Sequence, residues 1–322
     1  MNSNLSILVD EALTALDWSK DPKGLYEPIA YALSSGGKRL RPLLVLLGAS
    51  VFGKEPRETV PAALAIEIFH NFTLLHDDVM DNAPMRRGKP TVHVQWDDNT
   101  AILSGDQMLI EAYKQIGRLP KALVPEILVA FNKMATEVCE GQQLDSDYET
   151  QEVVTEEEYI EMIRLKTSVL IGTALQLGAI LAGADEKAQR DLYDYGVNVG
   201  LAFQIQDDLL DVYGDPATFG KAIGGDILEG KKTFAYISAC KQASTEQRVR
   251  LVGLMQQQRL PKEEKIAAVT GLYNELGVKQ ICEEAVASYT HKALECLNRI
   301  PLDEAKMQPL KDLALSLITR KD

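Results

Sequence analysis

An aspartate triplet written twice in apolar sequence narrows the fold more than anything else in this chain. LLHDDVMD carries Asp77, Asp78 and Asp81, and FQIQDDLLD carries Asp207, Asp208 and Asp211. Both read D-D-x-x-D. On a helix, positions i and i+4 share a face and i+1 lies about 100° away, so each triplet packs onto roughly one turn. Like charges at that spacing weaken the helix slightly. A solvated face would interleave Lys or Arg, whereas the neighbours here are Leu74, Leu75, Val79, Phe203, Ile205, Leu209 and Leu210. Acidic clusters in such a setting are expected to point inward, toward a cavity, where a cation must offset the burial of charge.

Carboxylate oxygen is the ligand type that Mg²⁺ accepts, together with waters and substrate phosphates. Two clusters facing one cavity can hold several such ions around one diphosphate. The opposing reading, two helix ends with surface acids, leaves the apolar setting unexplained. A Ca²⁺ loop is excluded by the missing D-x-D-x-D-G spacing. Gln204, Asp207, Asp208 and Asp211 fall at i, i+3, i+4 and i+7, a single helical stripe. His70, Asp77 and Asp81 form a second stripe, and His70 draws its functional reading from sharing it.

Helical periodicity dominates the rest. Leu8, Leu13 and Leu16 space an N-terminal helix. Segments 43–52, 61–82, 99–117, 122–144, 155–184, 187–213, 231–242, 245–258, 262–275, 277–299 and 305–320 run long enough for helices, with Pro and Gly between them. Strand patterns are scarce. The fold class is all-α, read as one domain over 1–322 with ten or more helices and residues 145–154 as a loop. Residues 168–184 carry no charge, yet a membrane span needs about 20 apolar residues. A helix buried inside an all-helical protein reads the same way, so no integral membrane span is expected.

The net charge is -13 and the pI about 4.9, which argues against a nucleic-acid partner. Against that background the basic clusters are informative: GGKRLRP over 36–42, Arg86-Arg87-Gly88-Lys89 just past the first triplet, and Lys221 and GKKT over 230–233 past the second. Arg and Lys give charge-assisted hydrogen bonds to phosphate, and adjacent glycines let a backbone approach closely. Cations beside carboxylate metal ligands suit a diphosphate leaving group, whose departure creates negative charge. The 4 cysteines are scattered, which suits a reducing cytoplasmic compartment. The N-terminus, with Asp10, Glu11 and Asp17 and no basic region, does not read as a signal peptide.

Taken in order, GGKRLRP, LLHDDVMDNAPMRRGKPTVH, Lys166-Thr167, FQIQDDLLD and FGKAIGGDILEGKKT resemble the trans-type isoprenyl diphosphate synthases, the polyprenyl synthetase family. The one departure is Ala222, where the family usually has Pro. The resemblance implies an isoprenoid-synthase-type helical bundle around a deep central cavity, usually a homodimer. It implies three Mg²⁺ held by Asp77, Asp78, Asp81, Asp207, Asp208 and Asp211. Arg86, Lys166, Thr167, Gln204, Lys221 and Lys231 would hold the allylic diphosphate; Lys38, Arg41, His70 and Arg87 would hold isopentenyl diphosphate. The implied chemistry is ionisation, condensation and elimination, with Asp77, Asp78, Asp81, Asp207, Lys166 and Lys231 at its centre.

The resemblance also places Phe72 and Thr73, five and four residues before the first triplet, at the floor of the hydrocarbon pocket. A single aromatic there resembles geranylgeranyl-type enzymes, so products of fifteen to twenty carbons are expected, with twenty favoured; a farnesyl-type or longer-chain synthase is the alternative. A terpene cyclase would mix Asn, Ser/Thr and Glu in its second metal motif. A non-catalytic partner subunit of a synthase would typically lose one triplet, and a purely structural helical protein would leave the acid and base clusters without a role.

Overall fold

The computed structural model describes residues 3–215, 223–257 and 259–319. The elements are almost entirely helical: α1 (Ser3–Thr14), α2 (Lys23–Leu33), α3 (Leu40–Ser50), α4 (Val60–Met80), α5 (Val92–Gln95), α6 (Asp98–Ile116), α7 (Val124–Thr150), α8 (Glu156–Ile163), α9 (Val169–Leu181), α10 (Glu186–Tyr213), α11 (Gly225–Glu229), α12 (Phe234–Gln242), α13 (Thr245–Gln256), α14 (Lys262–Glu275), α15 (Val278–Asn298) and α16 (Glu304–Thr319). Two short strands, β1 (Met85–Arg86) and β2 (Lys89–Pro90), pair antiparallel just after α4.

The chain divides into two compact units, Met1–Asn132 with Thr173–Tyr193, and Lys133–Gly172 with Asp194–Asp322. In the first unit α4 packs along α6, burying Ala62, Ile66, Phe69, Ala101, Met108 and Ala112. Small residues explain the uncharged run that begins at residue 168. A Cβ on Gly178 would lie 2.3 Å from the Val45 carbonyl oxygen, and one on Gly48 would lie 2.5 Å from that of Leu175. Only glycine lets α3 and α9 approach so closely. Glu156–Leu181 is long and apolar enough to cross a membrane, and 78% of its most apolar window is buried within the protein.

In the second unit a Thr155–Glu158 capping box starts α8. The chain then widens into a π-helical turn at Arg164–Ser168 before α9. Gly141 and Gly200 flank that turn: a Cβ on either would lie 2.2 Å from Lys166 N or 2.6 Å from Ser168 Cα. Tyr195, fully buried on α10, donates to the Leu310 carbonyl at 2.6 Å and ties α16 to the unit.

Several expectations need correction. Residues 145–154 do not form a loop throughout, because α7 continues to Thr150. Lys232 donates to the carbonyls of Tyr148 at 2.9 Å and Glu149 at 3.1 Å, satisfying acceptors of the last turn and favouring the negative end of the helix dipole. Helix α2 is not signalled by the sequence pattern because Gly24 and Pro28 lower its propensity; burial of Ile29 and Leu33 overrides them. The run 155–184 is α8, the π turn and α9 rather than one regular helix.

Candidate active site

In the first unit α4 carries Glu67, His70, Phe72, Thr73, Asp77 and Asp78, and Asp81 is its C-cap, its N–H donating to the Asp77 carbonyl at 2.8 Å. Asp78 is buried, Asp77 half-buried and Asp81 exposed, so only part of the triplet points inward as expected. Arg86, on β1, donates through Nε to Asp78 Oδ1 at 2.7 Å. Burial raises the Asp78 carboxyl above its ordinary range, and Arg86 only partly offsets this.

Arg41 Nη1 lies 3.0 Å from His70 Nε2. Arginine only donates, so His70 Nε2 is the acceptor and its proton sits on Nδ1. Burial, with Arg41, Arg87, Arg86 and Arg39 nearby, holds this imidazole well below its usual range. Arg41 Nε is buried with no partner, a donor that an anion would satisfy. Arg39 pairs with the buried Glu67 at 2.5 Å, and Asn71 Nδ2 donates to the same oxygen at 2.8 Å. Arg87 Nη1 donates to the Gly36 carbonyl. Gly37 has φ +122°, and a Cβ there would meet Arg87 Cζ at 2.8 Å, so the glycine makes room for the guanidinium. Lys38 is exposed beside this cluster. Thr73 Oγ1 donates to the His70 carbonyl at 2.8 Å. Phe72 packs edge-on against Phe69 and His76, with ring centroids 5.5 and 4.8 Å away.

In the second unit α10 carries Gln204, Asp207, Asp208 and Asp211. Asp208 is 4% exposed and accepts from Tyr159 Oη at 2.5 Å, the Phe234 N–H at 3.2 Å and Gln204 Nε2 at 3.3 Å. Burial and Asp226 push its carboxyl up to about 8 even so. Asp211 accepts from the N–H groups of Gly225 at 3.2 Å and Asp226 at 3.1 Å, at the start of α11. Burial, Asp211 and the other nearby acids push Asp226 up to about 7. Lys166, in the π turn, pairs with Asp145 at 2.5 Å, and Thr167 Oγ1 donates to Gln204 Oε1 at 3.4 Å. Lys231 pairs with Glu229 at 2.9 Å; burial opposes its charge, but Glu229, Asp226 and Asp145 outweigh this and raise its pKa.

Each unit therefore carries one aspartate triplet; among the described residues Arg86 pairs with the first, while Lys166 and Lys231 pair with Asp145 and Glu229 rather than with the second, and Lys221 and Ala222 lie outside the described residues. Glu67, Asp145, Tyr159 and Asp226 were not anticipated. Asp226 stands within a motif already singled out, GGDILEGKK, and was legible there; Tyr159 is 49 residues from the carboxylate it contacts, and no local spacing signals it. Among the described residues no three carboxylate, His or Cys groups already converge to cage a metal. The donor set nonetheless fits Mg²⁺, which takes one or two carboxylates and completes its shell with water and substrate oxygens. Buried carboxyls with raised pKa values in each unit are groups that a divalent cation would stabilise in their charged form.

The polyprenyl synthetase family model matches residues 22–273. A geranylgeranyl diphosphate synthase of Methanosarcina mazei is 42% identical over 238 residues, 73% of this chain and 74% of that protein. A geranylfarnesyl diphosphate synthase of Natronomonas pharaonis is 36% identical, covering 97% of this chain and 95% of its own length. A crystal structure of a geranylgeranyl pyrophosphate synthase superposes with a TM-score of 0.93 at 44% identity and 100% coverage of both chains. The chain belongs to the polyprenyl synthetase family and is a short-chain prenyltransferase.

Proposed function

We propose that this enzyme condenses isopentenyl diphosphate with an allylic diphosphate to give a linear prenyl diphosphate of fifteen to twenty carbons, twenty favoured. The observation that carries the reading is an intact, partly buried aspartate triplet in each unit: Asp78 is ion-paired with Arg86 in the first, and in the second Asp208 and Asp211 share their surroundings with Asp226, whose charge acts on Lys231. The names of the relatives support the product class.

In this proposal Asp77, Asp78, Asp81, Asp207, Asp208 and Asp211 hold Mg²⁺. When bound there, Mg²⁺ would supply the positive charge that makes diphosphate a stable leaving group. Arg86, Lys166, Thr167, Gln204, Lys221 and Lys231 bind the allylic diphosphate, and Lys38, Arg41, His70 and Arg87 bind isopentenyl diphosphate. The unpartnered Arg41 Nε supports the second set. The allylic C–O bond breaks and its electrons leave with diphosphate. The double bond of isopentenyl diphosphate attacks the allylic cation, and a proton is then lost, with the released diphosphate oxygen as the acceptor. The side chains contribute orientation and fixed positive charge.

The proposal includes one functional domain over 1–322, a homodimer and a cytoplasmic location. The family model running through both units supports the first. Exposed Ile102, Leu103 and Ile110 on α6 supply an apolar face of the kind that a two-fold contact covers. Four cysteines scattered along the sequence suit a reducing compartment.

The test is incubation with labelled isopentenyl diphosphate, Mg²⁺ and dimethylallyl, geranyl or farnesyl diphosphate in turn, followed by dephosphorylation and chromatographic sizing. Elongated linear alcohols are expected, with geranylgeraniol as the main one. No incorporation would point to a non-catalytic partner subunit, and cyclic hydrocarbon to a cyclase.

A further inference from the structure

Phe72 is clamped between two rings on its own helix. On one side is Phe69, fully buried and packed edge-on against the fully buried Phe131, with centroids 5.3 Å apart. That wall has no room to retreat, because neighbours in a close-packed interior have nowhere to move. On the other side is His76, one turn further along α4 and 4.8 Å from the Phe72 ring.

His76 is held differently. Its Nε2 lies 3.1 Å from the Ile102 carbonyl oxygen on α6, and since a carbonyl only accepts, Nε2 carries the proton and donates. Its ring fills a notch at Gly105. A Cβ on Gly105 would lie 2.2 Å from His76 Nε2 and 2.5 Å from Cδ2. A buried glycine inside a helix costs about 0.5–1 kcal/mol relative to alanine. At Gly105 the compensation is that the ring can sit against the α6 backbone. The position of His76 thus depends on one hydrogen bond and one missing methyl group.

We infer that His76, seated in the Gly105 notch, is a positioning residue that sets product length by bracing Phe72 from the side on which it could give way. This rests on the reading of Phe72 as the floor of the hydrocarbon pocket. His76 acts through Phe72, not by touching the growing chain. Removing the imidazole lets the Phe72 ring swing toward the vacated space and the floor recedes. Adding a methyl at Gly105 expels the same ring; the clash is with the far end of a side chain, so the ring moves rather than the helix.

The experiment compares product lengths for His76→Ala, Gly105→Ala, Phe72→Ala and the Phe72→Ala/His76→Ala double variant, using labelled isopentenyl diphosphate and geranyl diphosphate. Chain length is read on whatever product forms, so a slower enzyme still reports. The expected result is that each single variant moves the main product up by one isoprene unit, while the double variant matches Phe72→Ala. If Phe72→Ala lengthens the product but His76→Ala leaves the wild-type pattern, the floor stands and the brace is refuted. Additive lengthening in the double variant would also refute it, since His76 would then act independently of Phe72. An unchanged product from Phe72→Ala removes the floor itself. Should Gly105→Ala fail to fold, His76→Ala decides alone.

Discussion

Tyr159 donates its phenolic hydrogen to Asp208 at 2.5 Å, and that hydroxyl is one of three donors that aim a buried carboxylate. Partners that orient a metal-ligating group matter nearly as much as the ligand. Tyr159→Phe keeps the ring and removes the donor. It is expected to lower activity or Mg²⁺ affinity about 10–100-fold, read from the Mg²⁺ dependence of the condensation rate, with the circular dichroism spectrum unchanged.

Adjacent lysines have separable jobs. Lys232 closes the end of α7, whereas Lys231 stands among Glu229, Asp226 and Asp145. Lys232→Met should lower thermal stability by about 1 kcal/mol and leave the KM for the allylic diphosphate near wild type. Lys231→Met should do the reverse, raising that KM with little change in melting temperature. Thermal melts and steady-state kinetics on the same preparations separate the two.

The Arg39–Glu67 pair is almost fully desolvated, with side chains 11% and 3% exposed. Breaking such a pair from one side strands a buried charge and costs about 3–5 kcal/mol. Arg39→Met should therefore destabilise the protein by that order in urea unfolding. The double variant Arg39→Met/Glu67→Leu should recover most of the loss, because Asn71 Nδ2 keeps its other bond to the Glu67 carbonyl at 2.8 Å.

His70 sets a pH dependence whose sign follows from its depressed pKa. The ordinary value is 6.5 and the folded value lies well below it. As pH falls through 6.5, the unfolded chain takes up a proton that the folded one refuses, so stability falls with pH. The slope from this group reaches about 1.4 kcal/mol per pH unit. His70→Gln keeps an acceptor for Arg41 and removes the titration. The difference in stability between wild type and His70→Gln, measured from pH 7 downward, should shift in favour of the variant below about pH 6.5.

What the sequence made legible follows from the range of the interactions. The triplets, their helices and the cations beside them are local, and periodicity alone placed Asp77 and Asp208 on α4 and α10. Glycines whose purpose is close approach, such as Gly141 against Lys166, betray nothing until the facing backbone is known. Tyr159 and Asp145 escaped notice for the same reason: each meets its partner across an intervening stretch of chain. The end of α7 is hidden in the sequence because its polar last turns resemble a loop, and the lysine that satisfies them stands more than eighty residues on.

The most direct test of the central claim is to neutralise one buried carboxylate in each unit, Asp78→Asn and Asp208→Asn, and measure Mg²⁺-dependent condensation of isopentenyl diphosphate with geranyl diphosphate. Each substitution keeps size and shape and removes the carboxylate that a bound cation would hold in its charged form. The account predicts that either variant alone loses activity by about 100-fold or more while remaining folded, as expected when a group acts on developing charge. Full activity in either variant, with an unchanged Mg²⁺ requirement, would contradict the assignment of both triplets to the reaction.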